Sequence, residues 1–453
     1  MTSLRDPSLP DAALLRPVLR TGRSFYVVAA CLALVQAWAI YAWITQVRNG
    51  LGVTGMNRPV FWGIYITNFV FFIGISHAGT LISAILRLCK AEWRRPITRA
   101  AETITVIVLF IGMGNILLDI GRPDRALLVF RHGRLQSPLL WDVCCVSVYF
   151  TASVTYLYLP LIPDFAILRD SATKRVWLYR LLALGWSGSP QQQRRLNRLI
   201  GIMAIAVIPI AISVHTVVSY VFSMTVQPMW HSAIFGPYFV VGAIFSGIAA
   251  LIIALAILRK AYHLEDYLKP IHFSNLGLLL LVMALLWFYF TFCEYLTVFY
   301  GGEPAHLSIY YSKMTGEFSP AFWAMIVSCF AVPFLLLCNK KTRTILGTVV
   351  ASAFICVGMW LERFTIVVPT LSRPRLPYTV GEYTPSWVEW SLTAGCFAFL
   401  ALAYMLLSKL FPLVSLWEVR EGRIEALDET RERLREYYPG VRPSQRQREE
   451  VQA

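Results

Sequence analysis

Charged residues are scarce in this chain of 453 residues. Asp, Glu, Lys and Arg together supply only 15% of it, whereas soluble proteins hold roughly 25%. Hydrophobic residues supply 57%, and the mean hydropathy is +0.57. This composition excludes an ordinary soluble enzyme and a disordered chain, and it predicts a membrane protein.

The sequence also lacks paired cysteine motifs. Nine cysteines are present, but none forms a Cys-x-x-Cys pair and nearly all lie in apolar runs. This pattern argues against a disulfide framework, a zinc site or an iron-sulfur cluster held by this chain. No small-residue cleavage site follows a short apolar stretch near the N-terminus, so we expect residues 1–24 to form a cytoplasmic tail and not a signal peptide.

The chain instead contains ten long apolar runs. Each is long enough to cross the hydrocarbon core, which takes roughly 20 residues. The runs cover residues 25–46, 60–88, 98–118, 138–162, 197–222, 233–258, 275–299, 319–338, 344–368 and 388–411. We therefore predict an all-α polytopic protein with about ten transmembrane helices in residues 25–414, followed by a charged cytoplasmic tail, 415–453.

The basic residues predict the orientation. A net charge of +15 invites a nucleic-acid partner, but in a membrane protein Lys and Arg collect in cytoplasmic loops for topological reasons, so we expect none. With the N-terminus inside, the inner segments hold 31 Lys and Arg and the outer segments hold 10. We expect both termini to be cytoplasmic, in a multi-pass protein of a bacterial inner membrane. The longest loop is predicted at 163–198.

Ionisable side chains inside spans are costly, so they are functional candidates. Most fall in the outer half of their segments. They are Asp119, Asp142, His215, Glu294, Glu362, Arg363 and Glu389, with His77 near the middle of its segment.

Several of these candidates have a structural alternative. Glu362 and Arg363 can form a structural ion pair, and Glu389 can reach the interface beside two tryptophans. His77 can make a hydrogen bond between helices, and Asp119 can pair with Arg122. Asp142 is the hardest to explain structurally.

Such residues suit a quinol site. Quinol oxidation releases two protons, so each hydroxyl needs a carboxylate or imidazole nearby in an apolar cleft. Two alternatives remain open. His77 and His215 can ligate a haem b, although their estimated depths differ by about half the membrane. Pro209 and Pro333 within spans, with the buried charges, also fit a secondary transporter.

Six segments resemble the NrfD/PsrC family of membrane subunits, and within it most closely the ActC quinol-oxidising subunit of alternative complex III. They are FWGIYITNFVFFIGISHAGTLISAILRL (61–88), ITRAAETITV (97–106), SPLLWDVCCVSVYFTASVTYLYLPLIPDFAILRD (137–170), SVHTVVSYVFSM (213–224), MWHSAIFGPYFVVGAIFSG (229–247) and LERFTIVVPTLSRPRLPYTVGEYTPSWVEW (361–390). The resemblance implies two four-helix bundles with flanking helices, and oxidation of menaquinol or ubiquinol near the periplasmic face.

The resemblance also implies partners. Electrons would pass to an iron-sulfur/molybdopterin-type subunit on the periplasmic side. Multihaem cytochrome c subunits and a second NrfD-like membrane subunit would complete the complex in the lipid bilayer. No haem or iron-sulfur cluster would be held by this chain.

Site residues follow from the same resemblance. The catalytic residues would be Asp142, Asp119 and His77. Residues expected at the quinone are Trp141, His215, Tyr220 and Arg122, and a proton path is expected at Glu102 and Asp164. Two positions depart from the family pattern, because Asp119 replaces a histidine and Val221 replaces an aspartate.

Overall fold

The computed structural model describes residues 12–19, 21–171, 175–375 and 380–437. Within these ranges the chain is helical and contains no β-strand. Ten helices are long and apolar enough to span a membrane, as the sequence predicts. They are α1 (Arg23–Asn49), α2 (Ile64–Leu88), α3 (Thr98–Ile120), α4 (Pro138–Ser171), α5 (Pro190–Ser223), α6 (Phe235–Ala261), α7 (Pro270–Gly301), α8 (Ser319–Cys338), α9 (Ile345–Ser372) and α10 (Trp387–Leu407).

Two spans contain a π-helical turn, at Ala78–Ile82 in α2 and Val327–Ala331 in α8. The helix Ala12–Leu19 precedes the spans, and α11 (Leu416–Tyr437) follows them. Shorter helices between the spans include Val176–Leu182 and Pro304–Met314.

The predicted boundaries are wrong in one region. The sequence places a loop over residues 163–198, but α4 continues to Ser171 and α5 already begins at Pro190. The end of α4 and the start of α5 are polar and charged, so apolar runs do not reveal them. A helix that extends beyond the hydrocarbon core no longer needs apolar residues there. Ser189 caps α5 by accepting from the Gln192 backbone N–H, and Pro190 occupies the first helical position.

Helices α2–α5 and α6–α9 form two four-helix bundles, which meet where α2 packs against α6 and α9 and where α5 packs against α6. Helices α1 and α10 pack mainly on each other, beside α2 and α3. Their backbones approach closely at Gly395, where a Cβ atom would lie 2.3 Å from the Ala39 Cβ. The indole of Trp38 donates to Ser391 Oγ at 2.8 Å across the same contact.

Successive spans run in opposite directions. Gln46, near the end of α1, accepts from the Tyr65 hydroxyl at the start of α2 and donates to the Leu118 carbonyl near the end of α3. We call the face where α1 begins and α10 ends the terminal face, and the opposite one the distal face. Sequence analysis predicts that the terminal face is cytoplasmic.

Glu389 is buried at the distal start of α10 and does not extend to the interface. Its carboxylate accepts from the backbone N–H groups of Gly55 and Ser386, at 2.7 and 2.8 Å, and from the Tyr383 hydroxyl at 2.5 Å. Glu389 and Ser386 together form a capping box. The carboxylate is therefore an anchor for the α1–α2 connection and the α10 N-terminus.

Candidate functional site

The buried face of α4 carries polar residues along the whole length of the helix. Asp142, Tyr149, Ser153, Tyr156 and Asp164 recur at helical spacing, and each is at most 3% exposed. Positions three, four and seven apart share one face of a helix. The first bundle is therefore lined with polar groups from the distal face to the terminal face.

Asp142 lies one turn into α4 from its distal end, at the predicted depth. It is 3% exposed, and its Oδ1 has no hydrogen-bond partner among the described residues. Buried carboxylates are normally paired or hydrogen-bonded, because desolvation penalises an unpartnered charge. A ligand that donates a hydrogen bond would satisfy this group.

His77 and His215 lie in direct contact, so the estimate that half a membrane separates them is wrong. Their ring centroids are 4.0 Å apart with an interplanar angle of 76°. The long α5 extends beyond its apolar run, which makes depths counted from segment ends unreliable. His77 Nε2 donates to the Ala211 carbonyl at 2.9 Å, so the hydrogen bond between helices is present. Neither ring nitrogen of His215 has a partner within the described ranges.

This contact does not suit two axial ligands of one haem. Metal–nitrogen bonds of about 2 Å would place the two ring centroids roughly 6 Å apart on either side of the iron. The observed centroids are 4.0 Å apart, and the rings meet edge to face. The geometry therefore favours a buried imidazole pair over a haem site.

A hydrogen-bond network extends from the imidazole pair toward the terminal face. Ser76 Oγ lies 3.5 Å from His77 Nδ1 and 3.3 Å from the Tyr149 hydroxyl. The Tyr149 hydroxyl lies 2.5 Å from Thr80 Oγ1. Thr80 belongs to the π-helical turn that directly follows His77. Such turns occur often at functional sites.

One turn nearer the terminal face, Ser83 joins two more buried groups. Its hydroxyl donates to Glu102 Oε1 at 2.6 Å and lies 3.3 Å from the Tyr156 hydroxyl. Glu102 is 3% exposed. This residue of the predicted proton path thus lies inside the first bundle, in contact with the polar faces of α2 and α4.

Asp164 occupies the terminal end of the bundle, where it is fully buried and ion-paired with Arg99. It also accepts from the backbone N–H groups of Leu416 and Trp417, at 3.1 and 3.2 Å. The start of the charged tail is therefore docked on the membrane domain and not solvated. These contacts with Arg99 and with the start of α11 indicate that Asp164 anchors that helix.

Glu418 completes this terminal cluster. It is buried, forms an ion pair with Arg87, and accepts from Arg94 and Thr98 at 3.4 Å. Burial by itself raises the pKa of Glu418, but the nearby arginines more than offset that effect and hold its pKa below the usual range. The carboxylate therefore remains charged inside the cluster.

The other predicted quinone contacts are more peripheral. Arg122 is exposed and pairs with Asp124 at 2.9 Å, so the structural alternative in which it pairs with Asp119 is not observed. Asp119 is partly buried near the distal end of α3, and its Oδ1 has no hydrogen-bond partner among the described residues. Tyr220 is 40% exposed. The Trp141 indole donates to the Leu135 carbonyl at 2.5 Å in the adjacent distal loop. No hydrogen bond joins Asp119 to Asp142 in the described part of the chain.

Sequence reasoning missed the hydroxyl groups of this network. Ser76, Thr80 and Ser83 lie at spacings of four and three on α2, opposite Tyr149 and Tyr156. Their helical periodicity is visible in the sequence. Hydroxyl residues are common in membrane helices, however, and become informative only when two such faces are known to meet.

Comparison with known proteins identifies the family. The sequence model described as "Polysulphide reductase, NrfD" matches residues 52–374. This chain belongs to the NrfD family. The matched residues contain both four-helix bundles, whereas α1, α10 and α11 lie outside them. The NrfD module of this chain is thus the pair of bundles.

Three curated relatives of this NrfD protein cover most of its length. A putative membrane subunit of a dimethyl sulfoxide reductase from Halobacterium salinarum is 27% identical, over 89% of this chain and 95% of the relative. An Hdr-like menaquinol oxidoreductase integral membrane subunit from Archaeoglobus fulgidus is 23% identical, over 86% and 94%. A menaquinone reductase integral membrane subunit from Nitratidesulfovibrio vulgaris is 22% identical, over 83% and 88%.

Proposed function

We propose that this NrfD protein is the quinone-binding membrane subunit of an oxidoreductase complex, and that it oxidises quinol near the distal face of the first bundle. Relatives named for menaquinol oxidation and menaquinone reduction support the quinone. Two electrons leave the quinol for a redox centre in a partner subunit. The two protons pass to side chains of this chain.

The observation that carries this proposal is the unpartnered carboxylate of Asp142. A quinol hydroxyl would satisfy its free Oδ1, and a buried carboxylate is a competent proton acceptor. Burial favours the neutral form of a carboxylic acid, which is the form that Asp142 adopts once it has accepted the proton. Asp142 is therefore assigned as the general base.

The remaining site residues have supporting roles in the proposal. Asp119 supplies a second carboxylate at the distal end of the first bundle. Trp141, Tyr220 and Arg122 contact the quinone at the membrane boundary. His77 and His215 are deeper and receive the proton from Asp142, because His215 has both ring nitrogens free of partners in the described structure.

The proposed proton path continues from the imidazole pair through Tyr149 and Ser83 to Glu102. Each step but one is a hydrogen-bond contact between 2.5 and 3.5 Å. The exception is the single helical turn from Thr80 to Ser83. Asp164 holds the terminal end of the path in place.

The complex is proposed to resemble alternative complex III. The distal face would then be periplasmic and would dock an iron-sulfur/molybdopterin-type subunit, with multihaem cytochrome c subunits and a second NrfD-like subunit nearby. The asymmetric distribution of Lys and Arg supports this orientation. Menaquinone and ubiquinone both fit the chemistry.

Asp142→Asn tests the proposal, because it keeps the shape of the side chain and removes the proton acceptor. We expect quinol oxidation to fall roughly 10²-fold, while the complex assembles and still binds the quinone. The measurement is the oxidation rate of a naphthoquinol analogue by the intact complex, across a range of pH.

Asp170→Asn is the matched control, since Asp170 lies on the same helix but is exposed and paired with Arg169. It should oxidise the analogue at the wild-type rate. A wild-type rate and pH profile in Asp142→Asn would remove Asp142 as the base.

A further inference from the structure

The second bundle encloses a polar cavity near the distal face, apart from the proposed quinol site. Glu294, Tyr238 and Glu362 line it from α7, α6 and α9. Lys313 lines it from the Pro304–Met314 helix, which lies on the distal face outside the spans. Trp230 closes the side that faces the first bundle, where it stacks on Trp62 at 6.0 Å.

Lys313 is the least expected group in this cavity. It is 3% exposed, and no hydrogen bond or ion pair within the described ranges involves its ammonium group. It makes a cation–π contact with the Tyr295 ring, whose centroid is 5.7 Å from Nζ. Buried lysines are rare unless they are paired, because desolvation penalises the charge. The cavity must therefore supply hydrogen-bond acceptors to Lys313.

Two carboxylates in the cavity have acceptor capacity to spare. Glu294 accepts from Ser232 Oγ at 2.6 Å through Oε2. Glu362 accepts from the Trp287 indole at 3.0 Å through Oε1, while its Oε2 has only an ion-pair contact with Arg363 at 2.8 Å. A carboxylate offers about four lone-pair sites, so both groups can accept further hydrogen bonds.

Water fits this cavity better than an organic ligand. The free space between the lining side chains holds about one or two water molecules, which is too little for a quinone ring. A buried water typically makes two to four hydrogen bonds to polar groups, and an ammonium with two carboxylates provides them. Water commonly bridges charged groups that do not touch directly.

We propose that this cavity is a hydrated proton-exchange site, in which water links Lys313 to Glu294 and Glu362 and exchanges protons with the distal face. In the forward step, the Lys313 ammonium gives a proton to the water, and that water gives one of its own protons to a carboxylate. One N–H bond is broken and one carboxyl O–H bond is formed, with no change in oxidation state. The site is independent of the quinol chemistry.

The electrostatic environment of Lys313 agrees with this role. Burial lowers the pKa of Lys313 to about 8, although Glu294 opposes part of the shift. The titratable groups around it are Glu294 and Tyr295 from α7, Tyr238 from α6 and Glu362 from α9, while α8 contributes Met325. A directly ion-paired lysine would shift in the opposite direction.

The experiment is a pH titration of the intact complex between pH 6 and 11, in which nitrogen-15-labelled lysine side chains are followed by solid-state NMR and Lys313→Met identifies the Lys313 signal. Exposed Lys340 is the internal control for equilibration with the solvent pH. We expect the Lys313 signal to titrate with a midpoint near pH 8. Glu294→Gln should move that midpoint to lower pH, because it removes a negative charge that stabilises the ammonium. Glu317→Gln, an exposed carboxylate of the same distal region, should not move it.

Two outcomes would overturn the proposal. A midpoint at the ordinary lysine value or above it would show a paired structural ammonium. A Lys313 signal that does not change at any pH, while that of Lys340 titrates, would show that the cavity does not exchange protons with the solvent. If the Glu294→Gln complex does not assemble, the midpoint of the wild-type complex alone decides the proposal. Neither outcome bears on the role of Asp142 in the first bundle.

Discussion

The two bundles differ in where they bury polar groups. In the first, Asp142 is buried near the distal face, and polar contacts between helices extend from His77 at mid-depth to Asp164 near the terminal face. In the second, the buried carboxylates Glu294 and Glu362 lie toward the distal face, and the terminal half is packed with residues such as Leu276, Leu280 and Ile355. Its hydroxyl residues Thr348 and Ser352 donate to carbonyls of their own helix.

The proposed proton path therefore belongs to the first bundle. Transfer through a bundle requires hydrogen-bonding groups on facing helices within reach of each other. The first bundle has such contacts from His77 to Thr80 and from Ser83 to Glu102, and a single helical turn separates the two groups. The second bundle offers a site that opens on one face and ends in apolar packing.

The largest expected effect comes from the terminal end of the first bundle. Asp164→Ala leaves the Arg99 charge buried without its partner and removes two acceptors for the start of α11. Breaking a buried ion pair in this way costs about 3–5 kcal/mol. We expect a lower thermal midpoint and faster tryptic cleavage within α11. Unchanged stability and cleavage would show that the first bundle does not depend on its docked tail.

A smaller effect is expected from the replacement of one buried serine in each bundle. Ser83→Ala breaks a link between helices, whereas Ser352→Ala removes a hydrogen bond within one helix. We expect Ser83→Ala to slow quinol oxidation roughly fivefold, which corresponds to about 1 kcal/mol for one hydrogen bond. Ser352→Ala should leave the rate unchanged. Equal rates in the two variants would contradict the contrast between the bundles.

The smallest effect concerns pH. The arginines around Glu418 lower its pKa below the ordinary 4.5, so its contribution to stability is present above that pH and is lost as the pH falls through the lowered value. Tryptic cleavage within α11, after brief exposure to each pH, should therefore increase on acidification. Glu418→Gln should remove much of this dependence, and Glu429→Gln, at an exposed position, should retain it. An identical pH profile in all three proteins would exclude Glu418 as the group responsible.

Apolar length predicted the ten spans because crossing the hydrocarbon sets a length that few other structures share. The same principle failed between α4 and α5, where the helices continue beyond the membrane core. It also failed for the depth of His215, since depth was counted from an apolar boundary and not from the helix. Contacts such as that between His77 and His215 depend on how helices pack, which a single sequence does not specify.

Burial of Asp142 was predictable, because a carboxylate one turn inside a span avoids lipid. The partners of the other acidic residues were not. Glu389 has the local signature of a capping box with Ser386, yet its contact with Gly55 joins segments far apart in sequence. Lys313 lies in a distal connection by sequence, and only the folded Pro304–Met314 helix brings it into the second bundle.

The pairing of α1 with α10 has a consequence for biosynthesis. Most of α1 faces outward in the finished protein, since only 11% of its most apolar stretch is buried. Its main packing partner is synthesised roughly 340 residues later, which at about 5–20 residues per second takes roughly 20–70 s. During that interval α1 lies in lipid with only its contacts to α2 and α3. The first span to be inserted is thus among the last to be packed.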